Sequence, residues 1–236
     1  MAAEQSSGTT GRKIYYPIAY GMLSTREKQP LEGAEEISLE DLKAKTLAVE
    51  NIDLRNKYVK KDGEYPYQNF YSTITGNIMS IEKDKYDKGT NLKVTIQDKD
   101  GDQSILQTPF YGKVSTDLLN RLASFESFNS TIVFAPYSVP SEFEDEGRKV
   151  KFYNSGVSLK VNGTKIARRF KKEDGLPGSE RVQDAQGNDV TSRVKQINWL
   201  WEKVEKITIP IGEEGVSKSK QEPLATGGVT DDSLPF

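Results

Sequence analysis

Between Gly147 and Lys172 stand nine basic residues and no acidic one: Arg148, Lys149, Lys151, Lys160, Lys165, Arg168, Arg169, Lys171 and Lys172. In a chain of formal net charge -2, that is a local cationic stripe. Such stripes track phosphate backbones. They also guard exposed strand edges against self-pairing, and the residues alone leave both readings open. Aromatic rings among polar neighbours add a second chemistry. Tyr71, Tyr111, Tyr137 and Tyr153 are so placed, and such a ring stacks on a nucleobase for about 1–3 kcal/mol. Lys93 and Lys113 are further candidate phosphate contacts. Phe110 and Phe134 read less clearly, because most aromatics of a small barrel fill its core.

The last six residues read as a partner-binding tip: Asp231, Asp232, Ser233, Leu234, Pro235 and Phe236. Phe236 offers a ring to an apolar pocket, and its α-carboxylate suits an Arg or Lys beside that pocket. Pro235 limits the freedom lost on docking. Asp231 and Asp232 add steering towards a basic rim.

Other chemistries find little support. The chain has no cysteine and no histidine. That excludes a disulfide framework, a zinc site of the usual kind, and Ser-His-Asp or Cys-His catalysis. An enzyme here would need carboxylates, Lys, Tyr or a hard metal ion held by oxygens. Asp98, Asp100 and Asp102 have calcium-loop spacing, but Pro109 stands where the closing Glu belongs, so a hairpin turn is expected. Glu142, Glu144, Asp145 and Glu146 read as a solvated acidic loop. No phosphate-cradling Gly-x4-Gly-Lys-Ser/Thr is present. The expectation is a non-enzyme without catalytic residues, metal or cofactor. No apolar run approaches the roughly 18 residues of a membrane span. Residues 1–12 lack the apolar region of a secretory signal, so no membrane partner is expected.

The elements that must position these residues follow from periodicity. Residues 1–12 are expected to be disordered, and 13–65 to be an extension packed on the main domain. Ser38-Leu39-Glu40-Asp41 opens a short helix there. From Tyr67 the grammar is that of strands. The first runs to Ile81, with Gly76 as a bulge or barrel corner. In the second, Leu92, Val94 and Ile96 alternate with Lys93, Thr95 and Gln97. Asp100-Gly101 turns it into a third, Ser104 to Tyr111. Ser115 is expected to cap a helix with the stripe Leu118, Leu119, Leu122 and Phe125. A fourth strand spans Thr131 to Tyr137. A fifth, broken at Asn154-Ser155-Gly156, runs from Val150 to Val161, and Asn162-Gly163 turns it into 164–170. Residues 173–190 read as a loop. Val194, Ile197, Trp201 and Val204 then share a helix face, Trp199 reads as packing or an interface, and 212–236 reads as a disordered tail.

Three strands, a helix and a closing pair is the order of an OB-fold. The expected fold is therefore mainly β with α decorations: a five-stranded Greek-key OB barrel over 66–172. An N-terminal extension precedes it. A loop and C-terminal helix (173–211) and a disordered tail (212–236) follow it.

The tip resembles that of bacterial single-stranded DNA-binding proteins, an acidic stretch closing in Asp-Asp-x-Ile-Pro-Phe. Leu234 stands where they have Ile, and two Asp stand where many have three or more acids. With the strand order and the run Tyr153-Asn-Ser-Gly-Val-Ser-Leu-Lys-Val-Asn-Gly163, the chain resembles single-stranded DNA-binding proteins encoded by tailed bacteriophages. The resemblance implies a protein that binds and protects single-stranded DNA during replication, recombination and repair, largely without sequence preference. It implies recruitment of replication proteins through the tip, in the cytoplasm of the bacterial host. The N-terminal segment departs from the compact bacterial family, so homo-oligomerisation is left open. The alternatives are an RNA-binding OB module and a non-catalytic adaptor or structural protein. A metal-dependent nuclease ranks last, for want of a carboxylate cluster.

Overall fold

A computed structural model describes residues 13–209, apart from 88, 146, 184–186 and 188. The segments expected to be disordered, 1–12 and 212–236, lie outside these residues, and with them the tip Asp231–Phe236.

The described chain is mainly β, with three α-helices. Strands β1 (Lys13–Ala19) and β2 (Met22–Glu27) form a hairpin, followed by β3 (Glu35–Glu36), α1 (Leu39–Leu47), β4 (Lys57–Lys60) and β5 (Tyr67–Tyr71). Next comes an antiparallel meander of β6 (Ile74–Tyr86), β7 (Gly89–Gln97) and β8 (Gln103–Pro109). After α2 (Lys113–Leu122), β9 (Ile132–Asp145) and β10 (Arg148–Val161) form a long hairpin, and β11 (Thr164–Lys165) adds to the end of β10. A separate ribbon of β12 (Glu180–Gln183) and β13 (Asp189–Ser192) precedes α3 (Val194–Val204). The first eleven strands make one sheet, ordered β11-β10-β9-β6-β7-β8-β1-β2-β5-β4-β3.

Alternation decides which side chains fill the core. Leu92, Val94 and Ile96 of β7 are buried, as are Leu106 of β8, Phe134 of β9, and Val157 and Leu159 of β10. Leu118, Leu119 and Leu122 of α2 close this core, and Ile197, Leu200 and Val204 of α3 pack into it. Each fully buried Val, Leu, Ile or Phe contributes about 1.5–3 kcal/mol. A second, smaller core gathers Ile37, Leu42, Leu54, Val59 and Phe70 around α1, β4 and β5. The Ser38 hydroxyl caps α1 by accepting the Asp41 N–H at 2.9 Å, and Glu40 and Asp41 suit the positive end of the helix.

Gly76 is where β6 changes partners. Residues Ile74–Gly76 pair with β9, and from Asn77 onward β6 pairs with β7, with a register shift between Ile78 and Ser80. A Cβ at Gly76 would collide with the Gln97 carbonyl. Only glycine lets the two strands cross that closely.

Several boundaries differ from the sequence reading. The expected first strand splits at Ser72-Thr73, because Phe70 belongs to the second core and Ile74 to the first. Ser115 does not cap α2. Gly112 does, and the buried Ser115 hydroxyl instead donates to the Pro109 carbonyl at 2.7 Å. The fourth and fifth strands are longer than expected. Glu142, Glu144 and Asp145 belong to the end of β9 rather than to a loop, and β10 passes through Asn154-Ser155-Gly156 without a break. The 13–65 segment is more than a packed extension: β1 enters the main sheet parallel to β8. The 173–190 segment is not all loop, since it contributes β12 and the start of β13.

Candidate nucleic-acid interface

Helix α2 places the first group. It follows β8 directly, so Tyr111 and Lys113 emerge together where the strand ends. Tyr111 is 42% exposed and packs edge-on against buried Phe110, with ring centroids 5.1 Å apart. The Lys83 ammonium lies 4.4 Å from the Phe110 centroid and 5.5 Å from that of Tyr111. The Lys113 ammonium lies 5.1 Å from the centroid of Phe152, which is 36% exposed on β10, and donates to the Tyr153 carbonyl at 3.3 Å. Two ring–cation pairs result, Lys83 with Tyr111 and Lys113 with Phe152, and the two-residue step from Tyr111 to Lys113 joins them into a row along the chain. Cation–ring contacts of this kind fix the rings at the surface. Burial, then the neighbouring Arg193 and Arg168, hold the Lys113 pKa below the ordinary lysine value. The Asp117 carboxylate opposes this lowering but does not outweigh it.

Arg168 leads to the second group. Arg121, Lys165, Ile166, Ala167, Arg168 and Lys171 line an open, shallow depression beside α2. Lys160 and Lys165 are direct cross-strand partners, and like charges so placed repel unless an anion lies between them. At the base of the group sits the Asp117 carboxylate, with its side chain 2% exposed. It accepts from Arg168 Nε at 2.6 Å, the Val157 N–H at 2.9 Å, Arg121 Nε at 3.2 Å and the Tyr137 hydroxyl at 3.3 Å. Gly156 leaves room for this, since a Cβ there would collide with the carboxylate and the Tyr137 hydroxyl. The bond to the Val157 N–H also satisfies an outer-edge amide of β10 beyond the short stretch that pairs with β11.

The remaining expected residues divide. Arg169 and Lys172 are exposed on the segment that follows β11, and Lys171 pairs with Glu173 at 3.4 Å. Arg148, Lys149 and Lys151 are exposed, but they stand opposite Asp145, Glu144 and Glu142 in the β9–β10 register. Lys149 also pairs with Glu142 at 3.7 Å. Glu142 and Glu144 therefore offset the charge at this end of the stripe, whereas its part from Lys160 onward has no acidic strand opposite it. Lys93 lies apart from the row. It pairs with Asp84 at 2.6 Å, and its ammonium is 5.8 Å from the Tyr15 ring centroid.

Three of the four expected stacking tyrosines are engaged elsewhere. Tyr71 packs on the main core, edge-on to Tyr16, and its hydroxyl donates to Glu27 at 2.7 Å. Tyr137 is committed to Asp117. The Tyr153 hydroxyl donates to the Glu50 carbonyl. Tyr111 keeps the expected exposure. Sequence reasoning missed Lys83, Phe152, Arg121 and Arg193. Phe152 could have been found, because it alternates with Lys151 and Tyr153 on a strand. Arg121 and Arg193 carry no local signal.

No protein-family model, curated protein or solved structure matches the chain. Among the described residues, no helix is long and apolar enough to cross a membrane. No group of three or more carboxylates among them could hold a metal ion.

Proposed function

We propose that the chain binds single-stranded DNA and protects it during phage replication, recombination and repair in the bacterial host cytoplasm. The observation that carries this reading is the row Lys83, Tyr111, Lys113 and Phe152, continued through Arg168 into the basic depression. Paired rings and cations suit a flexible strand, whose bases stack while its phosphates meet ammonium and guanidinium groups. A duplex hides its base faces and gives the rings nothing to stack on.

The topology supports an OB reading of the central unit. Strands β6, β7 and β8 form a meander, α2 follows the third strand, β9 returns to pair with β6, and β10 pairs with β9. OB barrels are partly open Greek keys with a helix in this position. Here β1 lies beside β8, and α2 covers part of the outer edge of β10, next to β11. The tip Asp231–Phe236 is the proposed recruiting element for replication proteins, on the strength of its residues.

Titration of the protein into labelled oligo-dT at several salt concentrations tests the proposal, with duplex DNA and single-stranded RNA as competitors. The expected result is a preference for single-stranded DNA, with log K falling by about 0.7 per phosphate contact per unit of log salt. Preference for RNA would reassign the same row to RNA. An absence of binding at low salt would leave an adaptor protein that works through its tip.

A further inference from the structure

Residues Ile166–Phe170 form no strand and no helix, yet nearly every turn of that segment is tied to α2. The Arg121 guanidinium, 8% exposed, donates through Nη1 to the Ile166 carbonyl at 2.5 Å. The Ser124 hydroxyl donates to the Ala167 carbonyl at 3.2 Å. Asp117 holds Arg168. Asn120 uses its backbone carbonyl for the Arg169 N–H at 3.1 Å. Its side-chain amide accepts the Phe170 N–H at 2.8 Å and donates to the Phe170 carbonyl at 2.9 Å. Asp117, Asn120 and Arg121 are spaced i, i+3, i+4 on α2, and Ser124, just past its end, continues their line. Asp117, Asn120 and Arg121 are buried, and buried polar groups are costly unless bonded. They are bonded to a segment that carries Arg168 and Arg169 and lies between Lys165 and Lys171.

We infer that Asp117, Asn120, Arg121 and Ser124 are positioning residues. They hold Ile166–Phe170 as a preformed strap that presents Arg168 and its neighbouring cations to successive phosphates. The inference rests on the single-stranded DNA reading. Charge supports it. Asp117 carries one negative charge against two guanidinium groups, so the cluster keeps one net positive charge. Arg121 is buried, which leaves that surplus on Arg168, whose side chain is half exposed. Its Nε is spent on Asp117, and this fixes the plane of the guanidinium that faces the depression. An irregular segment without this template would have to be ordered each time a strand bound, at a cost in affinity.

The test compares unsubstituted protein, Asn120→Ala and Ser124→Ala, binding labelled oligo-dT across a salt series. Circular dichroism and the thermal midpoint identify folded variants. Neither substitution alters charge. Asn120→Ala removes two hydrogen bonds to Phe170, and affinity is expected to fall about tenfold. The salt slope is expected to fall by about 0.7 or more, one phosphate contact. Loss of folded protein alone would lower the active fraction and leave the slope unchanged. Should Asn120→Ala not fold, Ser124→Ala, past the helix end, carries the test with a smaller loss in the same direction. An unchanged slope and affinity in the folded variants, with normal binding by the unsubstituted protein, would overturn the inference alone. Failure of the unsubstituted protein to bind oligo-dT would overturn the functional reading, and the inference with it.

Discussion

Lys113 stands at the meeting of the two cationic groups, partly stripped of water and beside Arg168 and Arg193. A phosphate there would relieve both burdens, which is why the aromatic row is expected to matter around this residue. Tyr111→Ala and Phe152→Ala should each weaken oligo-dT binding by about 1–3 kcal/mol in fluorescence titrations. Tyr71→Phe should leave binding unchanged, because that ring packs on the core and its hydroxyl serves Glu27. Tyr71 should instead report on stability. Burial and then the Glu27 hydrogen bond push its hydroxyl from the ordinary 10.0 up to about 12. Between these values the unfolded phenol has lost a proton that the folded one keeps. Stability should therefore fall as pH rises from about 10 to about 12, and be fully present below. Denaturant unfolding across that window should show a larger loss in the unsubstituted protein than in Tyr71→Phe, since Tyr58 and Tyr153, also raised, contribute to both.

At the scale of elements, the β9–β10 register changes the meaning of the basic stripe. Lys149 faces acids across the hairpin, whereas Lys165 faces Lys160. Lys165→Glu should therefore weaken DNA binding and lower the salt slope more than Lys149→Glu does. Equal effects in matched titrations would show that the hairpin is as much part of the binding surface as the depression. This distinction was not legible in the sequence, because register depends on where the hairpin turns, and charge counts are blind to pairing. Strand β7 was legible, since Leu92, Val94 and Ile96 alternate cleanly against a buried face. So were the Leu118, Leu119 and Leu122 stripe of α2 and the Ile197 and Val204 face of α3. The capping of α2 was not, because Ser115 resembles a cap in type while tertiary contact draws its hydroxyl to Pro109. The Asp117–Asn120–Arg121 stripe was illegible for a related reason. Polar residues on a helix read as a solvent face until a distant segment covers them.

For the whole molecule, charge has opposite signs in two regions: the cationic strap and the acidic tip at Asp231–Phe236. Truncation of residues 225–236 should raise affinity for oligo-dT at low salt, since a weak competitor is removed. Equal affinities with and without them would dismiss that competition. The effect should vanish as salt screens exposed charges beyond a Debye length of about 8–10 Å.

The parallel seat of β1 beside β8 also sets an order of assembly. Lys13 lies beside Gln103, so β1 leaves the ribosome about 90 residues before its partner and must wait through a long loop closure. The β6–β7–β8 meander needs only local hairpins and can form first, which makes β1 a late arrival on an edge already built. Until it docks, β8 exposes a row of unpaired amides that another molecule's β1 can fill as well as its own. Refolding at rising protein concentration should therefore yield strand-exchanged dimers, visible by sedimentation, and these should disappear when β1 and β8 are joined by a disulfide engineered between them.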